Sequence, residues 1–323
     1  MNTLPLKYWQ TKGYSRADLL QVWSEIQGQP AVLVTLENNR AMMTLSFKVT
    51  EGGQGHAPTI FGFLKSVANR LNMEKPGGFI IWLHDAMWKS QAEYSERAPI
   101  FAFGRMRRGD THTLLMPDPA FIGSGGYVKE LREMVLNEPI WEDKQPVLYW
   151  RGASSGCLTE GDYWLDSPRI KLCMMKSSFI NAKITRFPNY NTSEKEQRLR
   201  DASIVGLEVP FERFYQYKYQ IDIDGYGAAW KSLALKLHMN SLLFKVESDY
   251  EHFYSDALTP RLHYIPIKKD LSDLIEMIGW WSWDDKLPRG IIDAAGSVIR
   301  SITIEKEKDK FIQAVNVLTE IME

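Results

Sequence analysis

"YKYQIDIDGYGAAWKSLALKLHMNSLLFKVES" (residues 217–248) reads as a strand, a turn of small residues, a helix and a second strand. Side chains alternate along the first strand, so Asp222 and Asp224 fall on one face of it. Gly225, Tyr226, Gly227, Ala228 and Ala229 then lead through Trp230 and Lys231 into the helix. An Asp-x-Asp at this place is a spacing that holds a divalent metal against a diphosphate. The turn offers a different chemistry: backbone N–H groups at a helix N-terminus bind anions without a metal, and Lys231 adds a charge behind them. A plain strand-to-helix junction is the third reading. The glycines match neither the six-residue Walker spacing nor a full Gly-x-Gly-x-x-Gly, so spacing alone leaves all three open.

The same alternation extends in both directions. Toward the N-terminus, "SRADLLQVWSEIQ" (15–27) is a helix capped by Ser15, and "AVLVTLENNRAMMTLSFKVT" (31–50) is a hairpin turning at Asn38-Asn39. "TIFGFLKSVANRLN" (59–72) is an amphipathic helix. "GGFIIWLHDAMW" (77–88) opens with a glycine pair and carries the short continuous apolar run of a buried parallel strand. "PIFAFGR" (99–105) and "THTLLMPDPAF" (111–121) are further strands, and "GYVKELREMVLNE" (126–138) is a helix. The polar stretch "NEPIWEDKQP" (137–146) separates this half from the next. The expected organisation is an N-terminal domain over 1–143 and a C-terminal domain over 144–323, with the terminal helices packing back on the first. In the second half, "PVLYWRG" and "FINAKITRF" are strands, "SPRIKLCMMKSS" begins a helix, and "DYEHFYSDALTP" is a helix or turn stopped by Pro260. Alternating strands and helices predict an α/β layer structure, here two facing Rossmann-like domains with a cleft.

Bulk properties narrow the function classes. A chain of 323 residues accommodates two domains at about 100–200 residues each. With 44% hydrophobic and 24% charged residues and a net charge of −1, no global field selects nucleic acid or acidic lipid. Cys157 and Cys173 form neither a disulfide framework nor a metal-ligand spacing. The first 20 residues lack a signal-peptide pattern and the apolar runs are too short for a membrane span, so a cytoplasmic protein is expected, with peripheral contact at an inner membrane surface left open.

Open α/β sheets bind ligands outside the carboxyl ends of their strands, and that rule picks out four places. Asp85, with His84 beside it, ends the strand of 77–88 and suits a general base; capping the next helix is the plainer role. Arg151 and Gly152 leave the strand "PVLYWRG", and Arg169 opens the following helix, where arginines meet phosphates or make structural ion pairs. The turn of 225–231 is the third place. Lys245 and Glu247 end the strand "SLLFKVES" and suit a phosphate and a sugar or ribose hydroxyl, or form an exposed salt-bridged edge. His252 and His263 lack a metal spacing and read as structural.

Taken in order, "YWRG" (149–152), "INAKITRF" (180–187), "YKYQIDIDGYGAAWK" (217–231), "SLLFKVESDYEHFY" (241–254), "LTPRLHYIPIKKDLSDL" (258–274) and "AAGSVI" (294–299) resemble glycosyltransferase family 90. That family holds Rumi-type protein O-glucosyltransferases, fungal capsule-associated xylosyltransferases and bacterial lipopolysaccharide core transferases. The resemblance is specific over 147–298 and weaker over the N-terminal half. It implies a GT-B arrangement, a UDP-sugar donor, inversion at the anomeric carbon and no metal or other cofactor. It implies Asp85 as catalytic base, Arg151 and Gly152 at the donor site, Arg169 on the diphosphate, and Gly225 to Trp230 as the turn whose amides hold the phosphates. Lys231 stands where the family has Arg, keeping the charge without the bidentate fork. The expected partners are a UDP-sugar (UDP-glucose, UDP-galactose or UDP-xylose) and a glycan or lipid-linked glycan acceptor of a bacterial surface. The alternatives carried forward are a metal-dependent transferase using Asp222 and Asp224, and a nucleotide- or glycan-binding protein without catalysis.

Overall fold

The computed structural model describes residues 3–46, 54–156, 165–187 and 193–323. Cys157, the hairpin's last residues (47–50) and the loop of 157–164 before Arg169 lie outside them. The described strands, in chain order, are β1 (Ala31–Glu37), β2 (Arg40–Leu45), β3 (Gly77–Trp82), β4 (Ile100–Ala102), β5 (Gly104–Met106), β6 (Leu114–Leu115), β7 (Gln145–Ala153), β8 (Ile180–Arg186), β9 (Tyr217–Asp222), β10 (Leu242–Val246), β11 (Tyr250–His252) and β12 (Ile265–Ile267). They fall into two α/β units, each built on a five-stranded sheet.

The first unit comprises Met1–Gly126, Asp249–Asp256 and Ile302–Glu323. Its sheet runs β2-β1-β3-β4-β6. β1 is antiparallel to β2 and to β3, while β3, β4 and β6 are parallel. Asn38 and Asn39 take φ of 51° and 58°, the left-handed pair that a two-residue hairpin turn requires. β3 is buried along its whole length, and its glycine pair has a packing reason. A Cβ on Gly77 would stand 2.4 Å from Thr319 Cγ2 of helix Ile304–Ile321, and one on Gly78 2.6 Å from Leu19 Cδ2 of helix Arg16–Glu25. The sheet can therefore take a helix closely on either face only because β3 begins without side chains. Ser15 caps helix Arg16–Glu25 through a reciprocal bond with Asp18, as the sequence predicts.

The second unit comprises Tyr127–Ser248 and Ala257–Ser301. Its sheet runs β12-β10-β9-β7-β8 and every pairing is parallel. Helices Pro168–Met174, Ser193–Asp201 and Lys231–His238 lie on the connections between successive strands from β7 to β10. The core is apolar, with Leu148, Ile184, Ile221, Phe244 and Leu274 fully buried. Counted from β7, the spatial order is the doubly wound 2-1-3-4-5 pattern. Its strand order reverses between β7 and β9, and at such a switch point the connections leave in opposite directions and open a crevice.

Two expectations about organisation are corrected. The units do not divide at 143/144: helix Val128–Asn137 belongs to the second unit, where Glu138 at its end accepts from the Asn240 backbone and pairs with the buried ammonium of Lys144. Of the terminal helices expected to return to the first unit, Ile304–Ile321 belongs to it and Leu287–Arg300 to the second. Residues 249–256, expected as a helix or turn, enter the first unit as β11, antiparallel to β5. The strand is fixed by charge as well as backbone, because Arg105 Nε donates to Glu251 Oε1 at 2.8 Å inside that unit. No helix among the described residues is long and apolar enough to cross a membrane.

Candidate active site

The switch point of the second unit is closed by Arg169. From the first turn of helix Pro168–Met174, its guanidinium reaches the carboxyl ends of both strands that flank the switch. Nη1 donates to the Ala153 carbonyl at the end of β7 (3.0 Å) and to Ser155 Oγ (2.6 Å). Nη2 donates to the Ile223 carbonyl (3.0 Å) and Nε to the Asp224 carbonyl (3.0 Å), both just beyond β9. One planar cation thus ties two loops at fixed spacing, which the fork geometry of arginine allows and a lysine does not.

Glycines let those loops meet. A Cβ on Gly225 would lie 2.9 Å from Ser155 Oγ and 3.1 Å from Arg169 Nη2. Gly156 has φ +89°, and a Cβ there would lie 2.8 Å from the Gly225 carbonyl oxygen. Gly225 N–H donates to the Gly227 carbonyl (3.0 Å), so one of the amides expected to face an anion is used within the turn. Helix Lys231–His238 follows, and its first N–H groups have no intrahelical acceptor.

Behind the turn lies a buried charge cluster. Lys245 Nζ donates to Asp222 Oδ2 at 2.9 Å, across the β9–β10 register that places the two residues side by side. Burial opposes the charge on Lys245, but Asp222 and then Asp224 overcome it and hold its pKa above the ordinary value. Lys236 points inward from the helix, donating to the Ile221 carbonyl (2.7 Å), and its burial pushes its pKa down to about 8. Asp224 accepts from Ser248 Oγ at 2.5 Å, and burial raises its pKa to about 6.

Several predicted site residues have partners within the protein. Lys245 pairs with Asp222. Glu247 lies one residue beyond β10 and is exposed. Lys231 pairs with Glu130 at 2.6 Å on the surface of the second unit. Arg151 lies two residues before the end of β7 and is locked to β8, donating to the Asn181 carbonyl (2.9 Å) and side-chain oxygen (2.8 Å) with its guanidinium 4.3 Å from the Tyr149 ring centre. Gly152 makes room for the Trp150 ring, 2.5 Å from where its Cβ would be. Of the two carboxylates of the Asp-x-Asp, Asp222 is paired with the Lys245 ammonium and Asp224 accepts from Ser248. Ser155, Lys236 and Ser248 were missed; Lys236 alone left a trace, as a lysine between Leu235 and Leu237 on an apolar stripe.

Asp85 belongs to the first unit, in the bend after β3. Burial raises its pKa, and the charges of His56 and then His84 pull it partly back. His84 lies between the rings of Trp82 and Trp88, 5.3 Å from each centre. His56 stands at the N-cap position of helix Ala57–Val67, without a side-chain capping bond, and packs edge-on to Phe103 (6.0 Å). Burial lowers the pKa of both histidines. A desolvated carboxyl between two weakly basic imidazoles is a suitable proton acceptor. His56, 29 residues upstream of Asp85, gave no sequence signal. His252 is buried against Tyr254 and His263 Nδ1 accepts from the Thr259 amide at 2.8 Å, both structural as read.

The sequence profile of glycosyl transferase family 90 matches residues 79–308, a span that includes Asp85, both flanks of the switch point and the turn. The chain belongs to this family. Similar members include protein O-glucosyltransferase 2 of Danio rerio, 36% identical over 146 residues that cover 44% of this chain and 26% of the relative. Protein O-glucosyltransferase 3 of Homo sapiens is 35% identical over 152 residues, 46% of this chain and 26% of the relative. Protein O-glucosyltransferase 1 of Rattus norvegicus is 27% identical over 207 residues, 60% and 49% of the two chains. The family 90 chain described here thus matches about a quarter to a half of the length of these relatives.

Proposed function

We propose that the chain is an inverting, metal-independent glycosyltransferase that moves a sugar from a UDP-sugar to a hydroxyl of a glycan acceptor. The observation that carries the reading is the pre-built switch point: Arg169 and two close glycines hold the ends of β7 and β9 around a turn that leads into a helix N-terminus. The carboxyl end of a parallel sheet at its switch point is where a nucleotide's phosphates are expected. Family membership and relatives named as O-glucosyltransferases support a glycosyl donor, with UDP-glucose first among UDP-glucose, UDP-galactose and UDP-xylose.

Asp85 takes the proton from the acceptor hydroxyl. The oxygen attacks the anomeric carbon from the face opposite the diphosphate, the carbon–oxygen bond to the diphosphate breaks, and UDP leaves with the electron pair. Inversion follows from the single displacement. The turn of 225–230 and the positive cluster behind it stabilise the leaving diphosphate, a task that falls to a metal in other transferases. The fit of Asp222 to Lys245 supports the metal-free route. The acceptor proposed is a lipopolysaccharide core or another bacterial surface glycan, reached at the cytoplasmic face of a membrane.

The reading is tested by incubating the purified chain with each UDP-sugar and a cell-envelope glycan extract, with excess chelator present. Release of UDP together with a hexose or pentose mass increment on the glycan supports it. Activity lost to chelator and restored by a divalent cation contradicts the metal-free mechanism, and UDP binding without turnover of any donor contradicts catalysis.

A further inference from the structure

Asp224 is the carboxyl between β9 and the proposed diphosphate turn, and its surroundings are unusual for a charged group. Oδ2 accepts from Ser248 Oγ at 2.5 Å, whereas Oδ1 is buried and has no hydrogen-bond partner. The charged groups facing it come from each packed element: Asp222 on β9, Lys245 on β10 and Arg169 on helix Pro168–Met174. Lys236 of helix Lys231–His238 adds its ammonium to the same cluster, close to Asp222, Arg169 and Lys245. Asp222 is held by the 2.9 Å contact with Lys245. The carboxyl of this cluster that is free to take a proton is therefore Asp224, at its bare oxygen.

Charge makes that proton matter. Three cations (Arg169, Lys236, Lys245) against two carboxylates leave one positive charge in excess behind the turn, and a proton on Asp224 makes the excess two. A bound diphosphate brings negative charge to the turn that Asp224 directly precedes, and an ionised carboxylate there, half-buried with Oδ1 enclosed, repels it.

We propose that Asp224 couples donor binding to proton uptake: the carboxyl is neutral when a nucleotide diphosphate occupies the turn and ionised when the turn is empty at neutral pH. This rests on the reading of residues 225–231 as the diphosphate cradle. The desolvated carboxyl titrates at about 6 in the empty protein, so the coupling falls within the physiological range. By linkage, whatever diphosphate does to the proton affinity of Asp224, the proton does to the affinity for diphosphate.

The test is calorimetric titration of the full chain with UDP-glucose between pH 5 and 7.5, in pairs of buffers with different heats of ionisation. Lys236, with a pKa of about 8, begins to lose its proton only at the top of this range and does so in the Asn variant as well, and the diphosphate of UDP-glucose does not itself titrate within it. The wild type is expected to bind more weakly as pH rises above 6, by up to about tenfold per pH unit, and to take up a fraction of a proton on binding at pH 7. Asp224→Asn is uncharged throughout. It is expected to take up no proton, to lose the pH slope and to bind more tightly than wild type at pH 7.5. Ser248→Ala removes a hydrogen bond that favours the ionised carboxyl, and is expected to move the wild-type curve to higher pH. A wild type that binds with no pH slope and no proton uptake overturns the proposal and leaves the cradle reading standing. So does an Asn variant that keeps the wild-type slope or binds more weakly than wild type at pH 7.5. Folded proteins that bind UDP-glucose at no pH overturn both together.

Discussion

Lys245 Nζ stands 2.9 Å from Asp222 Oδ2, with both side chains almost wholly buried between β9 and β10. The pair is part of the scaffold that joins the two strands. Breaking one half leaves a buried charge without its partner, which costs about 3–5 kcal/mol. Asp222→Asn or Lys245→Met is expected to lower the unfolding free energy by that order in denaturant titration. The double substitution Asp222→Leu with Lys245→Met is expected to be less destabilising than either single change.

Gly225→Ala tests the close approach of the two loops. The added methyl meets Ser155 Oγ at 2.9 Å and Arg169 Nη2 at 3.1 Å, so the turn has to move away from β7. The expected result is UDP-glucose affinity reduced about tenfold or more, with far-ultraviolet circular dichroism like wild type. Each 1.4 kcal/mol of misplacement is a factor of ten in affinity.

Arg169→Lys keeps the charge and loses the fork that spans both loops. Donor KM is expected to rise more than kcat falls, because the loss is of loop placement. A drop in kcat with KM unchanged contradicts the bracing role.

Lys231→Ala removes an exposed ion pair with Glu130, of a kind worth about 0–1 kcal/mol. The melting temperature is expected to change little. Lys231→Arg restores the residue usual in family 90 and is expected to leave donor affinity at least equal to wild type, measured by the same titration.

His238 links stability to acid. Burial and then the neighbouring Arg300 charge lower its folded pKa to about 4 from the ordinary 6.5. Between those values the unfolded chain binds a proton that the folded chain does not. Its contribution is therefore fully present above about pH 6.5 and is lost as pH falls toward 4. His238→Gln is expected to flatten that part of the stability–pH curve.

Much of the fold is legible because its signals are local. Asn38-Asn39 marks the hairpin, Ser15 marks a helix start, and the glycine pair at 77–78 marks a strand that helices approach from both sides. The α/β alternation of the second half follows from period changes alone. The return of 249–256 to the first unit does not, because the contact that decides it joins Arg105 to Glu251 across 146 residues. The site was legible in type more than in detail. A turn of small residues before a helix leaves an anion site as one of three readings, and the resemblance points to Arg169. The sequence cannot say that Lys245 faces Asp222 rather than a ligand, since strand alternation places both choices on the same edge. It also cannot bring His56 to Asp85, because a helix and a strand must first pack.

Asp85→Asn is the most direct test of the central claim. The carboxamide keeps the shape of the side chain and cannot accept the acceptor's proton. UDP-glucose affinity is expected to stay within about twofold of wild type, while sugar transfer to the glycan extract falls by about 10²–10⁴-fold, the range assigned to a general base. A variant that binds donor and keeps most of its transfer rate contradicts the account.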